Sequence, residues 1–298
     1  MTDQKTKKRW KIKAKPSVIV FRVVNTIFLG GTALICIVLF LHILALSLSN
    51  NDATISNEVG LIPVGFTASA YKTLLRNTMF WRSFLRSVLR VLLGLVVNML
   101  LVILCAYPLS KYSEKFAGRN FYMWFFFITA LFSGGVIPLY VVINELQLMD
   151  TLWALVLPTG VTVFNIILLL NFLRQLPKEM LEAADLDGAN ELVKMFFIAV
   201  PCSLPSIATI TLFTIVGHWN AYFDTMYYAD ANENLWTLQY VLKEMIESGN
   251  TLYLDGEELN SQTVGYAAII VATIPVLFAY PFLQRFLTSG FMVGSVKE

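Results

Sequence analysis

The chain is short of charge. Only 14% of its residues are Asp, Glu, Lys or Arg, while 57% are apolar, and the mean hydropathy is +0.66. A soluble domain carries charge on roughly a quarter of its residues, so composition alone argues against a soluble enzyme. There are two histidines, His42 and His218, too few for a histidine-based catalytic metal site. The three cysteines, Cys36, Cys105 and Cys202, are far apart and lie in or beside apolar runs. They offer neither a disulfide framework nor metal spacing and read as small apolar residues. No G-x-x-x-x-G-K-[ST] loop is present, so ATP binding by that device is not expected. H-E-x-x-H, C-x-x-C and G-x-S-x-G are missing as well. Nothing suggests a solenoid repeat or a low-complexity tract.

What the chain has in quantity is long apolar runs. Crossing a bilayer takes about 20 such residues. Six stretches qualify, roughly 22–48, 84–108, 120–144, 151–173, 200–223 and 263–287. Backbone groups in lipid must be satisfied within the segment, which makes these helices. The expected fold is therefore an all-α membrane protein with six transmembrane helices. Lys5, Lys7, Lys8, Arg9, Lys11, Lys13 and Lys15 precede the first run, against Asp3 alone. By the positive-inside rule this tail stays in the cytoplasm, and six crossings return the C-terminus to the same side. Both termini are then cytoplasmic, in a multi-pass protein of the cell (plasma or inner) membrane. The tail reads as a topology anchor able to touch anionic lipid. The run after it lacks a small-residue cleavage site and reads as an uncleaved helix.

Lys111, Lys115 and Arg119 fall on the inner side, as the rule requires. Segment 224–262 falls outside and is acidic, with Asp224, Asp230, Glu233, Glu244, Glu247, Asp255, Glu257 and Glu258 against Lys243. Lys72, Arg76, Arg82, Arg86 and Arg90 conflict with the rule, because they sit on the outer side or at the start of the second run. The organisation expected is a basic tail over 1–21, a transmembrane domain over 22–287 and a cytoplasmic tail over 288–298. Within the domain lie an inner loop at 174–199 and an outer loop at 224–262.

The inner loop carries the most information. It reads PKEMLEAADLDGANELVKMFFIAVPCSLP over 177–205. Pro177 suits a first helical turn, and Glu179 and Glu182 suit the positive end of a helix dipole. Met180, Leu181 and Ala184 fall on one face. Asp187-Gly188 signals a turn, and Asn190 is placed to cap a second helix, which runs on to Pro201 and Pro205. Two short amphipathic helices between membrane spans present a surface to something soluble.

Glu182-Ala183-Ala184, then Gly188, Ile198, Pro201 and Pro205, resemble the EAA loop of ABC importer permeases. The likeness continues through AYPLSKY at 106–112, GRNFYMWFFF at 118–127, FSGGVIPLYVVI at 132–143, DTLWALVLP at 150–158, VGHWNAYFD at 216–224 and YPFLQRFLTSGFMVGSVKE at 280–298. The chain is similar to the smaller permease subunit of carbohydrate-uptake type I importers, the group that includes the maltose permease. Within that group it resembles the lipo-oligosaccharide and aldouronate subgroup. It departs from that subgroup at His218, where a tyrosine is common, and at Trp236, where a proline is common.

The resemblance implies a chain that is not itself an enzyme. A second homologous permease, two copies of a cytoplasmic ATPase carrying ATP and Mg, and an extracytoplasmic solute-binding protein would complete the machine. No cofactor, metal or nucleic acid is expected on this chain. Glu182, Ala183, Ala184, Asp187 and Gly188 would couple it to the ATPase. In the same reading, Gly290–Glu298 would reach the ATPase interface. His218, Trp219, Asn220 and Tyr222 read either as a sugar path or as an interfacial aromatic belt. Asn98, Asn165 and Asn171 read either as path residues or as helix–helix hydrogen-bonding groups. Arg86 and Arg90 read either as a preference for an anionic sugar such as a uronate or as side chains snorkelling to headgroups. Tyr227, Tyr228, Trp236 and Tyr240 in the outer loop are the expected contacts with the binding protein. The alternatives are an EAA-type permease for a non-sugar solute, a secondary transporter, which should show internal repeats, and a membrane-embedded enzyme, which should show a cluster of intramembrane acids.

Overall fold

The computed structural model describes residues 16–111, 116–247, 251–254 and 257–293. The basic residues at 5–15, Lys115 and the run 294–298 lie outside the described residues. Two compact units are present, Met1–Ala68 and Ser69–Glu298.

In the first unit, α1 (Pro16–Ser47) is a long apolar helix, and α2 (Asn51–Ile55) follows it. Asn50 caps α2 by accepting from the Ala53 amide at 2.9 Å, the usual way an orphan first-turn donor is satisfied.

The second unit begins with α3 (Ser69–Arg76) and α4 (Thr78–Ser110). Next come α5 (Arg119–Leu131), α6 (Val136–Glu145), α7 (Leu152–Val156) with a 3₁₀ turn to Thr159, and α8 (Val163–Leu173). The loop over 174–199, expected on the inner side, holds α9 (Lys178–Leu186) and α10 (Glu191–Val193). A π-helical stretch over Lys194–Ala199, α11 (Val200–Cys202) and α12 (Leu204–Asn220) follow. The segment expected on the outer side contains α13 (Phe223–Tyr228), α14 (Leu238–Glu247) and the antiparallel strands β1 (Thr251–Leu254) and β2 (Glu257–Asn260). The long helix α15 (Ser261–Val293) closes the described chain.

The helical membrane fold stands, and two features refine it. The hairpin β1–β2 pairs Thr251 with Asn260 and Leu254 with Glu257, inside the outer loop. The apolar runs are also less continuous than their composition implies. Three helices, Val20–Ser47, Thr78–Ser110 and Gln262–Pro281, are each long and apolar enough to cross a membrane. The other three runs are bent pairs, turning by 116° between α5 and α6, 48° between α7 and α8, and 83° between residues 191–202 and 204–220. Counting each pair as one span gives up to six among the described residues, by length and composition. Each break has a local cause. Gly135 takes φ +84° ahead of α6, where a side chain would be strained. Pro158 sits in the 3₁₀ turn before α8. Pro201 and Pro205 flank Ser203, and each removes a helix donor.

Helix α4 is the axis of the second unit. Phe80, Ser83, Ser87, Arg90, Gly94, Asn98, Val102, Ala106 and Leu109 make its buried face, at the three- and four-residue spacing of one helix side. One end of this stripe joins an apolar core with Leu74, Trp219, Leu238, Val241 and Ala268. The other joins a second core with Ile166, Leu169, Leu170 and Ile210. Between them the stripe is polar or small, and the candidate site lies there.

Candidate functional site

A cavity of about 370 Å³ opens beside the polar middle of α4. Arg90 and Asn98 come from α4, Thr162, Phe164 and Asn165 from the start of α8, and Thr214 and His218 from α12. Asn98 knots three elements. Its Nδ2 donates to the Gly160 carbonyl at 3.1 Å, and its Oδ1 accepts from Asn165 Nδ2 at 3.2 Å and from the Thr214 hydroxyl at 3.0 Å. The two sequence readings of Asn98 and Asn165 thus merge, since the residues hydrogen-bond between helices and also line a cavity. Asn171 is exposed and apart from it.

Arg90 is fully buried. It pairs with the Asp224 carboxylate and donates from Nη1 to the Ala221 carbonyl at 3.1 Å. For Arg90 alone, this replaces the snorkelling reading with a buried ion pair. Four residues advance a helix by about 40° beyond one full turn, so the stripe begun at Arg82 rotates inward along α4. Arg82 is exposed, Arg86 half-buried and Arg90 buried. A lone buried charge is costly in a membrane, and a paired acid is what makes it tolerable.

The remaining expected path residues separate. His218 is buried at the cavity wall. Trp219 turns away and donates its indole N–H to the Ala272 carbonyl at 3.2 Å, which fastens α12 to α15. Asn220 is exposed, and Tyr222 stacks on Phe223 with ring centroids 4.2 Å apart. Arg86 is not part of the lining. Gly94 was missed by sequence reasoning. An added Cβ there would meet the His218 ring at 2.3 Å, so the glycine makes room for the imidazole.

In the outer segment, Tyr227 and Trp236 keep surface, whereas Tyr228 and Tyr240 are buried. Tyr240 donates to the Asp230 carboxylate, and Trp236 Nε1 donates to the Asp230 carbonyl at 3.0 Å. Tyr228 and Tyr240 therefore hold the outer segment together and are not open to a partner in this arrangement. Burial pushes the Tyr228 phenol above its ordinary pKa, as do the negative charge of Asp224 and the neighbouring Tyr227.

The inner loop is built as its sequence implies. Gly188 takes φ +75°. Its amide donates to Asp185 O at 3.2 Å, and that of Ala189 to Ala184 O at 3.0 Å. These two bonds form a Schellman motif, whose positive-φ position favours glycine. Asn190 caps α10 by accepting from the Val193 amide at 2.8 Å. Ala184 is buried, so only Ala183 of the alanine pair faces outward. Glu182, Ala183 and Leu186 share the exposed face, and Leu186 is 90% exposed. Asp187 is the exposed C-cap of α9.

The missed residue in this loop is Lys194. It is buried where the π-helical stretch begins and pairs with both Asp185 of α9 and Glu191 of α10. Hydrogen bonds to Asp185 and Glu191 hold its ammonium above the usual lysine pKa. Burial pushes Glu191 upward. Hydrogen bonds from Lys194 and Tyr107 and the charge of Lys111 outweigh it and hold the carboxyl below its ordinary value. Lys194→Met is expected to speed hydrogen exchange across 178–193 by about tenfold, the effect of about 1.4 kcal/mol of local stability, and to leave α4 and α12 protected. Unchanged exchange in the loop would show that the pairing does not fix it.

A model of the family described as "Binding-protein-dependent transport system inner membrane component" matches residues 99–292. The chain belongs to this family. The permease is 39% identical over 276 residues to the polygalacturonan/rhamnogalacturonan transport system permease protein YtcP of Bacillus subtilis (strain 168), covering 91% of this chain and 96% of that protein. Protein LplC of the same organism is 38% identical over 283 residues, 93% of this chain and 95% of its own length. Among solved structures, a chain of a bacterial ABC transporter involved in the import of the acidic polysaccharide alginate superposes with TM-score 0.83 at 30% identity, covering 92% of the permease and 99% of that chain. A chain from a bacterial alginate ABC transporter in complex with an alginate pentasaccharide-bound periplasmic protein has TM-score 0.59 at 17% identity, a likeness of fold alone. The permease is a membrane subunit of an ABC importer.

Proposed function

We propose that this permease is one transmembrane half of an ATP-driven importer of oligosaccharides that contain uronates. The observation that carries the coupling part is the helix–turn–helix at 178–193, whose outward face bears Glu182, Ala183 and Leu186 on a scaffold fixed by Gly188 and Lys194. This face docks on a separate cytoplasmic ATPase, one of two copies, which binds ATP and Mg and carries out the hydrolysis. A second, homologous permease supplies the other half of the path. An extracytoplasmic binding protein delivers the sugar to the outer segment, where Tyr227 and Trp236 are the accessible aromatics. The multi-pass domain over 22–287 then lies between cytoplasmic tails, 1–21 and 288–298.

Support for the sugar comes from the relatives, whose names specify polygalacturonan/rhamnogalacturonan and alginate. The cavity agrees in kind. Arg90 Nε and Asn165 Oδ1 are buried polar atoms with no hydrogen-bond partner among the described residues, one a donor and the other an acceptor. A sugar hydroxyl can both donate and accept. Because Arg90 is already paired with Asp224, this wall reads hydroxyls and leaves the uronate charge to other groups.

The test is ATPase activity of the complete complex in lipid, with its binding protein and a panel of neutral and uronate oligosaccharides. Uronate oligosaccharides are expected to stimulate hydrolysis more than neutral ones. Gly188→Val is expected to reduce that stimulation at least about fivefold, the low end of a typical coupling energy. No atom stands within 4 Å of a Cβ at Gly188, so the variant acts through the backbone, where a left-handed conformation costs about 1–2 kcal/mol. An assembled, hydrolysing complex that responds to no sugar would move the assignment to a non-sugar solute.

A further inference from the structure

A second cavity, also of about 370 Å³, lies where α4 and α8 end and α5 and α9 begin. Lys111 is the C-cap of α4, Arg119 opens α5 and Arg174 is the C-cap of α8. All three line the cavity together with Lys178 of α9, and Glu182 is the one acid in the lining among the described residues. Lys111 reaches Glu191 at 3.3 Å. Neither Arg119 nor Arg174 has a carboxylate within ion-pair distance among the described residues. Both turn instead to one backbone acceptor, the Leu109 carbonyl, at 3.0 Å from Arg119 Nε and 3.5 Å from Arg174 Nη2. A guanidinium has five N–H donors, and most of theirs have no protein partner among the described residues. Burial, together with the positive charge of Arg119, depresses the pKa of Arg174.

Such a site calls for an anion, and paired guanidinium forks suit phosphate oxygens. The wall is not wholly polar. Leu173, Leu176 and Leu181 complete it, at the level where apolar spans give way to the polar inner loop. A small soluble phosphate has no use for an apolar wall. A headgroup joined to acyl chains does, and basic pockets at the cytoplasmic ends of membrane helices suit anionic lipid.

We propose that the pocket of Lys111, Arg119 and Arg174 binds the phosphate of an anionic phospholipid and that the bound headgroup braces the first turn of α9 against the ends of α4, α5 and α8. The binding rests on this cavity alone, whereas its consequence for ATPase coupling rests on the reading of α9 given above.

The experiment uses the complete complex in nanodiscs of phosphatidylcholine, with or without phosphatidylglycerol, and compares wild type with Arg119→Gln/Arg174→Gln. Lipid retained after delipidation is counted by native mass spectrometry, without sugar or ATP, so this result stands whether or not the transported solute is a sugar. Wild type is expected to retain phosphatidylglycerol at least tenfold more than the variant. Arg119→Lys/Arg174→Lys, which keeps the charge, should fall between them. In parallel, phosphatidylglycerol should raise stimulated ATPase in wild type and leave the glutamine variant unchanged. Equal retention by wild type and the glutamine variant would overturn the proposal. So would full replacement of the lipid effect by inorganic phosphate in phosphatidylcholine discs, which would make the ligand a free anion. Loss of the ATPase subunits from the glutamine variant in every lipid would overturn it too, by assigning the arginines to a partner's acidic surface.

Discussion

Asp224→Asn is expected to destabilise the permease more than Arg90→Met does, and the double variant Arg90→Met/Asp224→Leu is expected to recover most of the loss. The order follows from burial. The Arg90 side chain is fully enclosed, whereas that of Asp224 is 21% exposed. Replacing the carboxylate with an amide leaves the buried guanidinium charge with neutral acceptors alone, the Ala221 carbonyl and the new amide oxygen. Removing the base strands a carboxylate that water can still reach in part. Breaking a buried pair from one side typically costs about 3–5 kcal/mol, while replacing both partners with apolar groups is close to neutral. The pair also fixes the chain as it leaves α12 for the outer segment, next to Ser87, whose hydroxyl accepts from the Leu238 amide at 2.8 Å. Thermal unfolding of the purified complex in lipid measures all three variants. Equal stability of wild type and Asp224→Asn would mean that the pair holds nothing together.

The features legible in the sequence were those encoded locally. Apolar length gave the membrane-crossing runs, and the turn at Asp187-Gly188 and the cap at Asn190 needed only neighbours in sequence to specify them. The pairing of Arg90 with Asp224 joins residues 134 apart, and no local pattern encodes it. A partial signal was nonetheless present. Ser83, Ser87, Arg90, Gly94 and Asn98 recur at helical spacing within an apolar run, and such a stripe of polar and small residues marks the face turned toward other helices. Taking only the arginines at four-residue spacing selected a line that winds off that face. The bends were hidden because hydropathy averages over a window and passes smoothly across Ser133-Gly134-Gly135 and Pro158. Asp255-Gly256 between Leu254 and Glu257 is a hairpin signal, set in a segment whose acidity reads as that of a solvated loop. Lys194 lies four residues beyond the cap at Asn190, and a lone lysine at an inner membrane edge fits the positive-inside rule without further explanation.

Gly94→Ala is expected to cost about 1–3 kcal/mol, the usual range for overpacking a filled interior. The added methyl would stand 2.3 Å from Nε2, 2.5 Å from Cδ2 and 2.6 Å from Cε1 of His218, well inside contact distance. The imidazole is 5% exposed and held between α4 and α12, so it yields only if the helices part or the ring swings into the cavity. Either outcome alters the wall on which Asn98 and Thr214 meet. Relief should come from the other side of the contact. His218→Ser empties the volume that the methyl needs, so Gly94→Ala/His218→Ser should unfold at a higher temperature than Gly94→Ala alone. The two substitutions are then non-additive, as expected of residues in direct contact. If their effects simply add, the glycine is not there to admit the imidazole. The same pair of variants separates packing from transport. A double variant that regains its thermal stability but not its sugar-stimulated ATPase assigns the ring itself to the solute path, whereas recovery of both leaves His218 as the filler of a gap between two helices.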